Sequence, residues 1–482
     1  MNFVTLEFAA FFLVVLGGGW LLQGRASLCR FFLLFANLAF YAAGGLYFLP
    51  LLPAVSFVVW GTGRLLAKDS PPIDRKTVLS VGVGVCLALL ALFKYYEFFL
   101  QLVNDLLAEA EWGPISPVGL ADLPFPIGIS FYSFQGIAYI IEQYRNPDRE
   151  ACSYLRILTY LSFFPTVLAG PILRPGEFFP QLDKAPGGER NTSEGAALIL
   201  SGLFKKVVLA SFLSEEVARG VFQAPDCYSS WATLIAVYGY ALQIYCDFSG
   251  YTDLALGLGR LMGFTLPQNF KAPYLCLNIQ DFWRRWHISL SFWLRDYLYI
   301  PLGGNKGGGS ALCRNLLVTM LLGGLWHGAH LRFLVWGLLH GLALISLHIW
   351  RALPIHFSRE GERREEAPGA LTPARFCSWF LTFHFVCLAW VFFRADDMDT
   401  ALLILKRLVF WGQPGIGFPL AALPAIAAGL ALQWAGPSIQ SLFLRIQAAL
   451  PWPAQVALTA FLTGLILRMG PDGVLPFIYF QF

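Results

Sequence analysis

The sequence predicts an all-α integral membrane protein that crosses the bilayer many times. Three observations carry that expectation. Of 482 residues, 57% are hydrophobic and 13% are charged, whereas soluble domains carry about 25% charged residues. Mean hydropathy is +0.59, and charge-free stretches of span length recur along the whole chain. A soluble chain of this length would divide into domains, each with a charged exterior. The 34 basic and 30 acidic residues present cannot coat that much surface. A soluble enzyme, a disordered chain and a collagen-like repeat are thereby excluded.

A bilayer core of about 30 Å takes about 20 apolar residues as helix. Stretches near or above that length are 8–24, 31–63, 77–93, 123–141, 157–173, 227–246, 315–331, 333–350, 376–393, 408–444 and 446–467. The first follows Glu7 with no basic segment before it, so it reads as a span and not a cleaved signal peptide. The 31–63 and 408–444 runs are long enough for two spans each, with Gly44-Gly45 and Pro50 breaking the first. The mixed stretch 195–220 is a further candidate. No stretch between them would fold as a soluble domain, so residues 1–482 read as a single membrane domain.

Orientation follows from the basic loops. Segment 64–76 carries Arg64, Lys68, Arg75 and Lys76 against two acids, whereas 94–122 carries Lys94 against Glu97, Asp105, Glu109, Glu111 and Asp122. The positive-inside rule makes the first cytoplasmic and places the second on the far side. Seven basic residues against four acids make 247–314 cytoplasmic too. The 351–375 loop is nearly balanced and carries no such signal. A net charge of +4 without a Lys/Arg block gives no reason to expect nucleic acid. The nine cysteines stand singly, without a CxxC pair, and read as small buried side chains rather than zinc ligands or disulfides.

Residues 267–310 break the apolar pattern. Here Asp281-Phe282-Trp283-Arg284-Arg285-Trp286-His287 leads through Trp293, Leu294, Arg295 and Asp296 to Gly303-Gly304-Asn305. Trp283, Trp286, Trp293 and Tyr297 are spaced for roughly one helical face, flanked by Arg284, Arg285 and Arg295. The segment is too charged for lipid and too apolar for a watery loop. A re-entrant element within protein at the cytoplasmic face satisfies both demands, and an interfacial amphipathic helix is the plainer alternative.

All seven histidines follow residue 286. His327 lies in Gly323-Gly324-Leu325-Trp326-His327-Gly328-Ala329-His330, inside an apolar run. Single buried histidines are most often satisfied core residues, yet an ionisable group at membrane depth is a functional candidate by default. His327 and His330 lack an accompanying acid or thiol, so no metal site is expected. An imidazole in a dry environment suits a general base, its pKa being near working pH. There is no GxSxG elbow, Walker loop or dinucleotide fingerprint. Asp247 and Asp253 suit an ion pair or cap better than a coupling-ion site.

With these residues in view, the chain resembles the membrane-bound O-acyltransferase (MBOAT) superfamily, in its alginate O-acetylase-like branch. The matching stretches are 123–131, Ser162-Phe163-Phe164-Pro165 with Leu168-Ala169-Gly170-Pro171-Ile172, Asp247 through Asp253, Phe282 through Gly304, Gly324-Leu325-Trp326-His327-Gly328, Trp336-Gly337 with His340-Gly341, and 477–482. The resemblance implies about eleven spans with re-entrant cytoplasmic elements and a motif-bearing core at about 247–350. It implies that His327 and His287 are the catalytic pair. It further implies an enzyme of the bacterial inner membrane, with membrane lipid around it. Such an enzyme takes an acyl group, expected to be acetyl, from a cytoplasmic thioester (acetyl-CoA or an acyl carrier protein). That group reaches a secreted polysaccharide such as alginate through periplasmic acetyltransferase partners. No tightly bound cofactor is implied.

On this footing Trp286 and Trp326 would wall a tunnel and exclude water. Arg284, Arg285 and Arg295 lie where an anionic donor would arrive, although positive-inside anchoring explains them equally. Asn305 and His340 complete the candidate donor-binding set. His330-Leu331-Arg332 departs from the branch and adds a cation near the site. Two other functions fit the residues. One is transfer of D-alanine or another acyl group to a cell-wall polymer or protein. The other is an ion-coupled transporter using Asp247 and Asp253, against which the absence of inverted repeats in the sequence argues.

The topology is open to direct measurement. In a cysteine-free background, a membrane-impermeant thiol reagent added to intact cells should tag single cysteines placed in 94–122 and spare those in 64–76. The reverse pattern would invert the orientation.

Overall fold

The computed structural model describes residues 1–67, 73–109, 112–113, 115, 126–184, 191–353, 372–471 and 477. The described elements are helical, and an isolated parallel bridge pairs Tyr228 with Ile416. Helix α1 (Leu6–Leu21) is capped by Thr5, whose hydroxyl accepts from the Phe8 amide. After α2 (Ala26–Ala42), Gly45 takes φ 153°, and α3 (Leu51–Leu66) begins behind Pro50. The 31–63 run thus holds two helices, as read from its breakers. Helix α4 (Arg75–Glu109) has 35 residues, about 52 Å at 1.5 Å per residue. Residues 94–109 therefore continue a helix and do not form the expected loop.

Helix α5 (Ile129–Arg145) follows; residues 123–125 of the first motif lie outside the described residues. The expected span at 157–173 is not one. It divides into α6 (Tyr154–Leu161) and the four-residue α7 (Phe164–Val167). Pro165 cannot donate into a helix continuing from α6, and its ring would meet the carbonyl four residues back. Helix α8 (Pro175–Asp183) precedes α9 (Thr192–Leu203), which continues through π-helical turns at Phe204–Ala210 and Leu213–Ala218 into α10 (Arg219–Gln223).

Helix α11 (Ser230–Met262) is long enough to cross but carries Gln243, Asp247, Ser249 and Thr252 as buried polar residues. Short helices α12 (Ile279–Arg285) and α13 (Ile288–Leu294) lead to α14 (Gly308–His327), α15 (Leu331–Ala352) and α16 (Pro373–Arg394). The 408–444 run does not hold two spans. Helix α17 (Met398–Val409) ends there, Pro414, Gly415 and Pro419 interrupt the chain, and one helix, α18 (Ala422–Ala449), precedes α19 (Trp452–Met469).

Among the described helices, eight stretches are long and apolar enough to cross a bilayer: Leu46–Leu66, Arg75–Tyr96, Thr192–Gln223, Gly308–His327, Leu331–Ala352, Pro373–Arg394, Ala422–Ala449 and Trp452–Met469. Helices α1 and α2 are apolar but shorter. This is a multi-pass membrane protein.

The chain forms two compact units. One comprises Met1–Val208, Asp247–Gln268 and Gln440–Phe482, the other Leu209–Cys246 and Asn269–Ile439. In the first, α3 and α5 meet through small residues. A Cβ on Gly63 would lie 2.5 Å from the Tyr139 ring, and one on Gly136 2.7 Å from Val59. Close backbone approach of this kind drives helix association where lipid offers no hydrophobic force.

The first unit also buries charge. The Lys206 ammonium, 1% exposed, donates to the Asp247 carboxylate, and Lys205 donates to Asp253 at 2.6 Å beside the Ser201 hydroxyl at 2.8 Å. Both acids of the 247–253 motif thus face lysines of the π-helical turn. The structural reading of that motif holds, and the ion-site reading loses its free carboxylates. Phe477 of the C-terminal motif packs here, 4.8 Å from Tyr251 and 5.5 Å from Phe248, with the Lys206 ammonium over its ring. Residues 478–482 lie outside the described residues.

Breaking one partner of a buried ion pair typically costs about 3–5 kcal/mol, whereas replacing both by apolar groups is near neutral. Lys206→Met should therefore lower the thermal midpoint in detergent sharply. Lys206→Met with Asp247→Leu should recover most of that loss. An unchanged midpoint in the single variant would remove the pair as the device that sets this packing.

Candidate active site

In the second unit, α14 and α15 form an antiparallel pair with almost no side chains between their backbones. A Cβ on Gly324 would lie 2.3 Å from the Phe333 carbonyl oxygen, and one on Gly337 2.5 Å from that of Met320. This contact places His327, the last residue of α14, against the first turns of α15. Trp336 stands edge-on to the His327 imidazole with centroids 5.2 Å apart and planes at 87°. From α16, Phe393 packs on the same imidazole at 4.8 Å and 75°. Edge-to-face contacts of this kind hold a ring in one orientation. His327 is 4% exposed.

His287 arrives from another direction. The face that would carry Trp283, Trp286, Trp293 and Tyr297 along one helix is not continuous, because α12 ends at Arg285 and α13 starts at Ile288. Between them His287 adopts φ 42°, ψ 55°, the left-handed region. A non-glycine residue there costs of order 1–3 kcal/mol and persists only where its surroundings enforce it. The enforcing group is Asn269. Its carbonyl accepts from the Ile288 amide at 3.0 Å, and its side-chain oxygen accepts from the Ser289 amide and hydroxyl at 3.1 and 2.7 Å. The kink turns His287 into the protein, where it is fully buried, with its ring 6.2 Å from Trp326. Trp326 is 4.9 Å from His327, so its indole contacts both motif histidines. Burial pulls the His287 pKa well below the ordinary imidazole range. A neutral ring that resists protonation suits hydrogen bonding to a substrate better than holding a proton.

The other candidate residues divide into two groups. Trp286 belongs to the same aromatic assembly, 4.9 Å from Trp390, which in turn stacks on Trp336 at 5.8 Å. His340 is fully buried one turn beyond Trp336, ringed by Trp336 at 4.7 Å, Trp283 at 5.2 Å and Phe282 at 6.0 Å. Neither of its ring nitrogens has a hydrogen-bond partner among the described residues.

The remaining polar candidates are exposed or half-buried. Arg284 is exposed. Arg285 pairs with Asp281 at 2.8 Å within α12, and exposed Arg295 makes a two-pronged pair with Asp296. Asn305, also exposed, accepts from the Tyr299 hydroxyl at 2.6 Å.

Sequence reasoning missed Trp390 and Phe393. They lie some sixty residues beyond the motif, in an apolar run where aromatics give no local signal. It did single out Arg332. That guanidinium is buried, donates to the Phe393 carbonyl at 2.8 Å, and lies 4.4 Å over the Phe333 ring. Phe333 and Phe393 both touch the His327 ring, so the cation braces the wall behind it. Among the described residues, no group of three or more His, Cys, Asp or Glu is placed to hold a metal ion. The arrangement is a buried cluster of aromatic rings around two imidazoles, an environment suited to proton transfer away from bulk water.

Comparison with known proteins identifies the family. The model of the membrane-bound O-acyltransferase family matches residues 130–391, more than half of the chain, including both motif histidines. The Pseudomonas putida protein named "Probable alginate O-acetylase AlgI" is 34% identical over 100% of both chains. Its Pseudomonas aeruginosa namesake is 37% identical, covering 86% of this chain and 75% of the relative. The Helicobacter pylori "Peptidoglycan O-acetyltransferase" is 36% identical, covering 79% of this chain and 73% of that protein.

Proposed function

The chain belongs to the membrane-bound O-acyltransferase family, and from that premise we propose that it acetylates a secreted polysaccharide from within the bacterial inner membrane. It is an O-acyltransferase. Its relatives named for alginate and peptidoglycan O-acetylation match over most of their lengths, which supports a polysaccharide as the final acceptor. The observation that carries the mechanism is the meeting of His327 and His287 on the Trp326 indole, within a cluster of aromatic rings.

In this reading the donor is a cytoplasmic acyl thioester, acetyl-CoA or an acylated carrier protein. A thioester is activated already, so the enzyme mainly positions it and deprotonates the attacking hydroxyl. His327 accepts the hydroxyl proton as the oxygen attacks the acyl carbon. The carbon–sulfur bond breaks as the ester bond forms, and the proton passes from the imidazole to the leaving thiolate. His287, neutral in its buried kink, orients the acyl carbonyl. Trp286, Trp326 and Trp336 exclude water that would hydrolyse the thioester. His340 packs within the same aromatic cluster. In this reading Arg284, Arg285, Arg295 and Asn305 bind the anionic donor as it arrives from the cytoplasm. Periplasmic acetyltransferase proteins carry the group onward to the polymer.

Two measurements test this. His327→Gln keeps polarity and approximate volume but does not accept a proton at working pH. It should lower polysaccharide O-acetylation, in cells expressing matched amounts of protein, by roughly 10²–10⁴-fold. Near-normal acetylation would remove His327 as the base. Separately, Arg285→Ala should raise the apparent KM for the thioester donor with little change in kcat. An unchanged KM for that variant and for the Arg284→Ala and Arg295→Ala variants would leave these residues as membrane anchors.

A further inference from the structure

The first unit contains a groove of about 250 Å³ that takes no part in the chemistry above. It is formed by the N-terminal turns of α2, the start of α6 and the end of α8. Arg30, Arg156, Ser27 and Ser153 line it together with Phe31 and Leu155, the last two being 57% and 43% exposed. The groove therefore offers charged and apolar surface side by side.

The charges are not balanced. Arg156 donates to the Asp183 carboxylate at 2.8 Å, and Arg30 reaches the other oxygen of the same carboxylate at 3.9 Å. Two guanidiniums share one acid, which leaves an excess of one positive charge. Both side chains remain partly exposed, at 38% for Arg30 and 34% for Arg156. A phosphate oxygen in the groove can therefore reach them, and a guanidinium fork suits such an oxygen.

The level of the groove in the membrane follows from neighbouring contacts in the same unit. Arg75, the first residue of α4 in the basic segment 64–76 that the positive-inside rule puts on the cytoplasmic side, donates to the Leu66 carbonyl at the end of α3 and to the Tyr144 carbonyl at the end of α5, the latter at 3.0 Å. The ends of α3 and α5 therefore share one face, and α6 starts nine residues after α5 ends. That is where headgroups of the cytoplasmic leaflet lie, and basic pockets between helices on this side are suited to anionic lipid.

We propose that this groove binds one anionic phospholipid, its phosphodiester on Arg30 and Arg156 and an acyl chain along Phe31 and Leu155. The proposal does not rest on the acyl-transfer reading. It is tested by native mass spectrometry of the full chain in detergent, titrated with phosphatidylglycerol and with phosphatidylcholine. Phosphatidylglycerol should bind in preference. Arg156→Gln should weaken it roughly ten-fold, whereas Asp183→Asn, which releases both guanidiniums, should strengthen it. A merely structural ion pair would not move affinity in opposite directions for its two partners. Equal binding of the two lipids would overturn the assignment, as would loss of phosphatidylglycerol binding in both variants. Complete displacement by millimolar inorganic phosphate would make the groove a free-anion site and overturn its assignment to lipid.

Discussion

The close approach of α14 and α15 through Gly324 and Gly337 is the constraint on which the site depends. A methyl group at either position would meet a backbone carbonyl at 2.3–2.5 Å, and carbonyls on packed helices have nowhere to go. Because the helices touch, His327 at the end of one faces the first turns of the other, and Phe333, Trp336 and His340 fall within one aromatic assembly. Gly328 extends the same logic, since a Cβ there would lie 2.4 Å from the Phe333 ring that lies near His327. The glycines of the motif are therefore spacers for the imidazole as well as for the helices.

The second histidine is delivered by strain. His287 occupies a backbone region that favours glycine, and its neighbours hold it there through the Asn269 carbonyl and side chain. Strain at a candidate active site, maintained by a polar residue eighteen positions earlier, is a common way of pre-organising a group for chemistry.

Charge within the membrane is handled throughout by local pairing. Lys206 with Asp247, Lys205 with Asp253, and Arg332 with the Phe393 carbonyl each place a cation against an acceptor inside one unit. Lipid supplies no alternative partner, so such groups are confined to positions where protein provides one. Arg30 and Arg156 follow the same rule incompletely, sharing a single carboxylate, and that incompleteness is what marks their groove.

Much of this was legible in the chain alone. Composition and charge-free run length determined a multi-pass helical protein, because the energetics of burying backbone in lipid leave few alternatives. The Trp-His-Gly and Trp-Arg-Arg-Trp-His stretches named both motif histidines, since charge and imidazole inside apolar runs stand out against their surroundings. The failures were of connection and partnership. Run length could not show that Pro165 breaks 157–173, that α4 continues to Glu109, or that 408–444 holds one span. Periodicity carried a helix straight through His287, because φ at one residue is set by Asn269 and not by local pattern. Trp390, Phe393 and the lysine partners of Asp247 and Asp253 were decided by tertiary structure alone. Their contacts join positions 41 to 66 residues apart, or farther, and nothing in an apolar sequence distinguishes a side chain that will face another helix from one that will face lipid.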